Sequence, residues 1–258
     1  MLRKGDLTQG GITGTLLHFT LPMMVGSFLQ QCYNIADTLI VGQCIGAGAL
    51  AAVGSAYTLM VFLISVLLGL AMGSGTVFSL HYGAGNHVAL RRSIFSSFVL
   101  IGIVTLILNV AVFIWLGPIL RLLQVPQDIY GMMRSYLWII FCGIVFTFIY
   151  NFYASLLRAV GDSVTPLWFL AVSVVLNIAL DLFFILQLDW GIQGAASATV
   201  LAQGVAALGI IIYTYRRRPE LRWHHEDMCF DRTCLKEIAS FSTLTCIQQS
   251  VMNLGILM

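Results

Sequence analysis

Six long stretches of this sequence are apolar and almost free of charge. Each exceeds the roughly 20 residues that a helix needs to cross a bilayer, and they span Leu16–Val41, Leu50–Leu80, Ile94–Leu116, Tyr136–Leu157, Leu167–Leu188 and Gly191–Tyr215. A helix closes its backbone hydrogen bonds within itself, and the two-residue alternation of a membrane barrel is not visible, so these stretches are predicted to be helices. The chain is therefore predicted to be an all-α, polytopic membrane protein.

Composition supports this prediction and argues against several other classes of protein. Of the 258 residues only 9% are charged, whereas soluble domains average about 25%. The net charge of +2 and the hydrophobic content of 59% favour neither a nucleic-acid partner nor a disordered chain. The sequence has no nucleophile with a neighbouring base and no Walker loop, so we expect neither an enzyme nor an ATP-driven pump, and no cofactor.

The distribution of basic residues predicts the orientation of the spans. Eleven of the thirteen Lys and Arg residues fall on one side of the predicted membrane, and only Arg121 and Arg134 fall on the other. Cytoplasmic loops are enriched in Lys and Arg, which places the N-terminus and the loop after the sixth span inside. We therefore expect a multi-pass protein of the cell inner membrane with a cytoplasmic N-terminus.

Two carboxylates lie inside the predicted spans. Asp37 is about four residues from the outer end of the first span and Asp181 about six from the outer end of the fifth, which at 1.5 Å per residue is roughly 6–10 Å deep. A charged side chain at mid-bilayer costs about 2.5–3.5 kcal/mol even on lenient scales, so such residues indicate function. Because both lie in the same leaflet, the sequence predicts that they share a site.

Further polar residues occur at helical spacing beside the two carboxylates. Asn177 lies one turn before Asp181 on the same helix face. Tyr33 stands in the same relation to Asp37, and Thr199 reaches a similar depth in the sixth span. Such oxygen-bearing groups suit a small hard cation or a proton. The alternative is that each Asp only joins helices through hydrogen bonds, as Ser, Thr and Asn often do in membranes.

Five segments, distributed over nearly the whole chain, carry a family resemblance. They are LPMMVGSFLQQCYNIADTLIVG at 21–42, HYGAGN at 81–86, LRAVGDSVTPLW at 157–168, LNIALDLFFI at 176–185 and GIQGAASATVLAQG at 191–204. Together they resemble the multidrug and toxic compound extrusion (MATE) family, in its DinF-like prokaryotic branch. That family's fold has twelve helices in two six-helix lobes, so the resemblance implies that this chain is the N-terminal half.

The resemblance also implies a division of the chain. Residues 1–215 would form the N-terminal six-helix lobe, 216–237 the cytoplasmic interlobe loop, and 238–258 the start of helix seven in a truncated C-lobe. Leu244 stands where the family usually has a proline. Substrate is expected to bind between two lobes in such transporters, so we expect the missing C-lobe to be required for transport.

Site residues carry over from the family by position. The resemblance implies a cation or proton site, with no metal other than Na+, formed by Asp37, Asn177, Asp181 and Thr199. It further implies a central substrate cavity lined by Gln30, Tyr33, Tyr136 and Asn151. Pro22 matches a proline associated with bending of the first helix, because proline removes a backbone hydrogen bond and clashes with the preceding turn.

The function that the resemblance implies is antiport. MATE proteins export organic cations, dyes and drugs in exchange for Na+ or H+, and the bilayer and the drug are the expected partners. One alternative is a lipid-linked saccharide flippase of the same superfamily, whose cavity is expected to be more basic; the predicted spans contain no Lys or Arg, which disfavours it. The other alternative is a non-transporting fragment.

Overall fold

The computed structural model describes residues 12–122, 124–222 and 232–257, and every regular element in those ranges is helical. The helices are α1 Ile12–Cys44, α2 Ala47–Gly83, α3 His87–Leu122, α4 Gln127–Cys142, α5 Ile144–Ala159, α6 Val164–Leu182, α7 Gly191–Arg217 and α8 Arg232–Leu257. A π-helical turn, Phe183–Gln187, extends α6, and a short 3-10 turn, Pro219–Leu221, follows α7. The all-α prediction is therefore confirmed for the part of the chain that the structure describes.

Each predicted span corresponds to a helix or to a pair of helices, with longer ends than the apolar pattern gave. α3, for example, begins at His87 and continues to Leu122, because backbone hydrogen bonding does not stop where hydropathy falls. Among the described residues, four helices (α2, α3, α6 with its π turn, and α7) are long and apolar enough to cross a membrane, and α4 with α5 would make a fifth. The sequence predicts six spans; α1 coincides with the first of them as one helix of 33 residues.

The fourth predicted span is broken rather than continuous. α4 and α5 meet at Gly143 and are bent by 47°. Gly143 has φ −88° and ψ −5°, and its carbonyl accepts a bond from the amide of Phe146 at 2.9 Å, a three-residue closure that tightens the chain there. The prediction of a single helix over Tyr136–Leu157 is thus wrong at this point, since a lone glycine in an apolar run gives no clear signal for a bend.

Domain boundaries near the C-terminus also differ from the prediction. α7 continues to Arg217 and α8 begins at Arg232, whereas the sequence places a loop over residues 216–237. The start of α8 therefore lies six residues earlier than the predicted Ile238, because charged residues can form the first turns of a helix outside the apolar region. Residues 223–231 lie outside the described part of the chain, as does the region before Ile12.

Aromatic packing ties α2, α3 and α5 together. The ring of Phe98 in α3 lies 5.3 Å from the rings of both Phe148 and Phe152 in α5. Phe152 in turn contacts Phe78 of α2 edge to face at 5.9 Å, an arrangement that aromatic pairs prefer. Because lipid offers no hydrophobic driving force between helices, such close contacts hold the bundle together.

A polar network joins the α5–α6 turn to the end of α7. The carboxylate of Asp162 accepts hydrogen bonds from the amide and the hydroxyl of Thr165, at 3.0 and 2.8 Å. Arg218 lies 3.6 Å from Asp162 and 3.5 Å from Glu220. These contacts hold the start of α6 beside the end of α7, so the two helices that carry Asn177, Asp181 and Thr199 are aligned from this end.

Candidate cation-binding site

The predicted site residues of the membrane interior converge between α1, α6 and α7. α6 packs against both α7 and α1, and it carries Asn177 and Asp181 on the face that turns inward. The side chains are all buried: Asp181 is 0% exposed, Asn177 1%, Thr199 5% and Asp37 8%. Asp181 lies two residues before the π-helical turn that begins at Phe183, a feature that is frequent at functional sites.

Asn177 connects the two neighbouring helices through its amide. In the orientation that satisfies both polar atoms, its nitrogen donates to Oδ2 of Asp181 at 3.0 Å. Its oxygen then accepts from the backbone amide of Thr199 at 3.2 Å and from the Thr199 hydroxyl at 3.3 Å. The hydroxyls of Tyr33 and Thr199 are also 3.3 Å apart, so α1, α6 and α7 are joined at this level.

Each of the two carboxylates has one oxygen atom without a hydrogen-bond partner among the residues that the structure describes. Oδ1 of Asp37 and Oδ1 of Asp181 are buried without a hydrogen-bond partner, while the two carboxyl groups are close enough to share a hydrogen bond when one is protonated. A buried carboxylate without compensation is strongly destabilising. Oxygen atoms of this kind are the ligands that a small hard cation takes, and the same oxygens can also hold a proton.

Two tyrosines complete the surroundings of the carboxylates. Tyr33 of α1 is an electrostatic neighbour of both Asp37 and Asp181. Tyr136 of α4, only 4% exposed, is also a neighbour of both and of Tyr33. The structure therefore places these two residues at the carboxylate pair. Tyr136 approaches from a fourth helix, which periodicity within α1 or α6 could not indicate.

Two other residues implied by the resemblance, Gln30 and Asn151, have different surroundings. Gln30 is exposed, since no helix among the described residues covers it. Asn151 is half-buried and donates to the carbonyl of Thr147 at 2.8 Å. The Thr147 hydroxyl donates in turn to the side-chain oxygen of Gln203, a polar contact between α5 and α7 that sequence reasoning missed. The one feature of the sequence that points to this contact is that Gln203 lies one helical turn after Thr199.

Pro22 lies inside α1, which remains helical on both sides of it. Pro22 is about four turns from Asp37, at 3.6 residues per turn. The lost hydrogen bond leaves α1 able to bend there without disturbing the backbone at the carboxylate. Its role as a pivot remains a prediction.

The described helices form a multi-span bundle with a buried carboxylate pair, the architecture of a membrane transporter lobe, and comparisons with known proteins identify its family. The MatE profile matches residues 22–183. A probable multidrug resistance protein, YpnP, of Bacillus subtilis is 37% identical over 84% of this chain and 49% of its own length. A probable multidrug resistance protein, NorM, of Thermotoga maritima is 29% identical over 94% of this chain and 53% of its own.

Solved structures show the same fold. An outward-facing structure of a MATE-family multidrug resistance transporter of the MOP superfamily superposes with a TM-score of 0.92 at 24% identity, over 100% of this chain and 57% of that one. The chain belongs to the MatE family, and the resemblance found in the sequence is confirmed. It spans about half the length of the curated relatives that it matches, and its helices correspond to the family's N-terminal lobe with the first helix after it.

Proposed function

We propose that this chain is the cation-binding half of an antiporter, which exports organic cations or drugs in exchange for Na+ or H+. The observation that carries the proposal is the pair of buried carboxylates, Asp37 and Asp181, each with an unsatisfied oxygen. An unpaired acidic residue inside a membrane span is costly, and the cost is offset when the protein binds a coupling ion there.

The proposed mechanism depends on how neutralising the two carboxylates changes the packing of α1 against α6. With both carboxylates charged, their repulsion opposes close packing of α1 on α6. A proton or Na+ removes that repulsion, so α1 can approach α6 and α7, and the cavity beside Tyr33 and Tyr136 changes shape. A drug and the ion then favour different states of the lobe, and each promotes release of the other by shifting the same equilibrium.

The full antiporter needs more than this lobe. Because the relatives are about twice as long, we propose that a second lobe forms the other wall of the transport path. The distribution of Lys and Arg favours a cytoplasmic N-terminus in the inner membrane. With this orientation the carboxylate site lies in the outer half of the membrane, and the coupling ion reaches it from outside the cell.

The test is dye efflux from cells that express the full-length protein containing this sequence, with Na+ and pH gradients imposed separately. Asp37→Asn and Asp181→Asn keep the size of each side chain and remove its charge, so ion-driven efflux is expected to be lost in both. Asp189→Asn is the matched control, because Asp189 is exposed, lies in the turn before α7, and has φ 52°, which asparagine tolerates. Unchanged ion-driven efflux in Asp37→Asn and Asp181→Asn would overturn the proposal.

A further inference from the structure

The bend in the fourth span is filled by a side chain from α7. A methyl group placed on Gly143 would lie 2.4 Å from Cγ2 and 2.7 Å from Cγ1 of Val200, and 3.0 Å from its Cβ. These distances are too short for any real side chain, so only glycine fits while Val200 occupies the bend. Gly143 therefore provides a notch, and Val200 is the wedge that enters it.

The notch and wedge are next to residues of the carboxylate site. Val200 directly follows Thr199, whose hydroxyl meets both Tyr33 and Asn177. Gly143 lies seven residues after Tyr136, about two turns or 10 Å along the helix. This contact is therefore one of those that fix how α7, which carries Thr199, lies against α4, which carries Tyr136.

Some glycines near this bend have room for a methyl group and others do not: in α7 itself, a methyl group on Gly209 would lie 2.6 Å from the ring of Phe169. Gly204, one turn after Val200 in α7, would place a methyl group 3.7 Å from the ring of Phe146, which is ordinary contact. Gly102 of α3 would place one 3.8 Å from Phe148. What distinguishes the contact at Gly143 is its place, because it falls where the span bends by 47° without a proline.

We propose that Gly143 and Val200 are positioning residues that set the affinity of the carboxylate pair for its cation. They act by holding Thr199 and Tyr136 against Asp37 and Asp181, and neither of them touches the ion. The inference rests on the proposed cation site and adds the element that aligns it. A wider gap between α4 and α7 moves the hydroxyl oxygens of Thr199 and Tyr136 away from the two carboxylates. The carboxylates then remain in place without the polar groups that surround them.

The experiment measures efflux by the full-length protein as a function of Na+ concentration at fixed pH, and as a function of pH without Na+. Gly143→Ala is expected to raise the half-saturating concentration of the coupling cation at least about tenfold, as loss of outer-shell support does in metal sites. The half-saturating dye concentration is expected to change much less. Gly204→Ala is the matched control and is expected to behave like the wild type.

Rescue separates positioning from general damage. Gly143→Ala/Val200→Ala adds one methyl group at the notch and removes the two γ-methyl groups of Val200, so the approaches at 2.4 and 2.7 Å disappear and only the tight one at 3.0 Å to Cβ remains. Cation dependence is therefore expected to return toward that of the wild type. If Gly143→Ala does not accumulate in membranes, Val200→Ala alone decides the question, because it removes the wedge without adding atoms and is expected to weaken cation dependence.

Two results would overturn the inference. The first is that Gly143→Ala has the same cation dependence as Gly204→Ala; where Val200→Ala decides the question, the same comparison applies to that variant. The second is that the double variant does not restore the half-saturating cation concentration of the wild type. Either result leaves the proposed function intact if Asp37→Asn and Asp181→Asn still abolish ion-driven efflux. If those two variants leave efflux unchanged, the proposed function itself fails, and the two failures are thereby distinguished.

Discussion

Two regions of this molecule bury polar side chains between helices, and they do so in opposite ways. Where α8 crosses α2, the helices approach so closely that a methyl group on Gly69 would lie 2.5 Å from Cα of Cys246, and one on Gly73 would lie 2.4 Å from Cα of Ser242. Hydroxyls there are satisfied by backbone: Thr245 lies 2.8 Å from the carbonyl of Gly69, and Ser242 lies 3.3 Å from that of Leu70.

In the carboxylate site between α1, α6 and α7, by contrast, the hydrogen bonds of the polar groups are incomplete. Asn177 and Thr199 satisfy each other there, yet Oδ1 of both Asp37 and Asp181 has no partner. The comparison teaches that polarity in a membrane span does not by itself mark function. A polar group whose bonds are complete within the protein can serve packing alone, whereas a buried carboxylate with incomplete bonds has to be neutralised.

The largest effect is expected at the α2–α8 crossing. Gly73→Leu places a side chain against the backbone of α8, which cannot move aside, so we expect a loss of stability of about 3 kcal/mol. The measurement is thermal unfolding of the purified full-length protein in detergent. Gly54→Ala in the same helix is the control, because nothing lies within 4 Å of a methyl group there. Equal melting temperatures for the two variants would contradict the account of this crossing.

At the carboxylate site the expected sign of the stability change is opposite. Asp37→Asn removes an uncompensated buried charge, so without Na+ and at alkaline pH, where both carboxylates are charged, the variant is expected to be more stable by about 1–3 kcal/mol. In Asp37→Asn, added Na+ or acidification is no longer expected to stabilise the protein, because a bound ion stabilises only the state that binds it. A variant that is less stable than the wild type in these conditions would mean that Asp37 serves packing.

A smaller effect is expected from the hydroxyls at the crossing. Thr245→Val keeps the shape of the side chain and removes its bond to the carbonyl of Gly69, and hydrogen bonds between membrane helices average about 0.6 kcal/mol. The Thr245 hydroxyl also has the carbonyl of Phe241 within 2.8 Å, which limits the loss further. Thermal unfolding checks this, and a loss as large as that of Gly73→Leu would show that hydrogen bonding, rather than close approach, dominates the crossing.

The smallest effect is expected where α2 and α8 meet at their polar ends. His81 and Glu237 are 3.6 Å apart, and the side chain of Glu237 is 46% exposed. Exposed pairs contribute about 0–1 kcal/mol, so Glu237→Gln is expected to leave thermal unfolding almost unchanged at both low and high salt. A strongly salt-dependent drop in melting temperature would assign this pair a larger part in holding α8.

The helical architecture could be predicted because apolar stretches longer than a bilayer permit few alternatives. The meeting of Asp37 and Asp181 could be predicted from their matched depth, and that of Asn177 with Asp181 from helical spacing. That Tyr136 lies beside the carboxylates could not be predicted from residue spacing, since it depends on how α4 packs against other helices; only the family resemblance points to Tyr136, as a residue of the cavity. The bend at Gly143 could not be predicted either, because a lone glycine in an apolar run gives no clear signal for one, and Val200, which lies against it, is more than fifty residues later in the chain.

The central claim is that Asp37 and Asp181 together bind the coupling cation, and direct binding tests it best. The purified full-length protein is titrated with NaCl, and then with acid in the absence of Na+, while the heat and the protons exchanged are recorded. The account predicts saturable uptake of Na+ or of a proton that is lost in Asp181→Asn and retained in Asp189→Asn. Equal uptake by the two variants, or no uptake by the wild type, would contradict it.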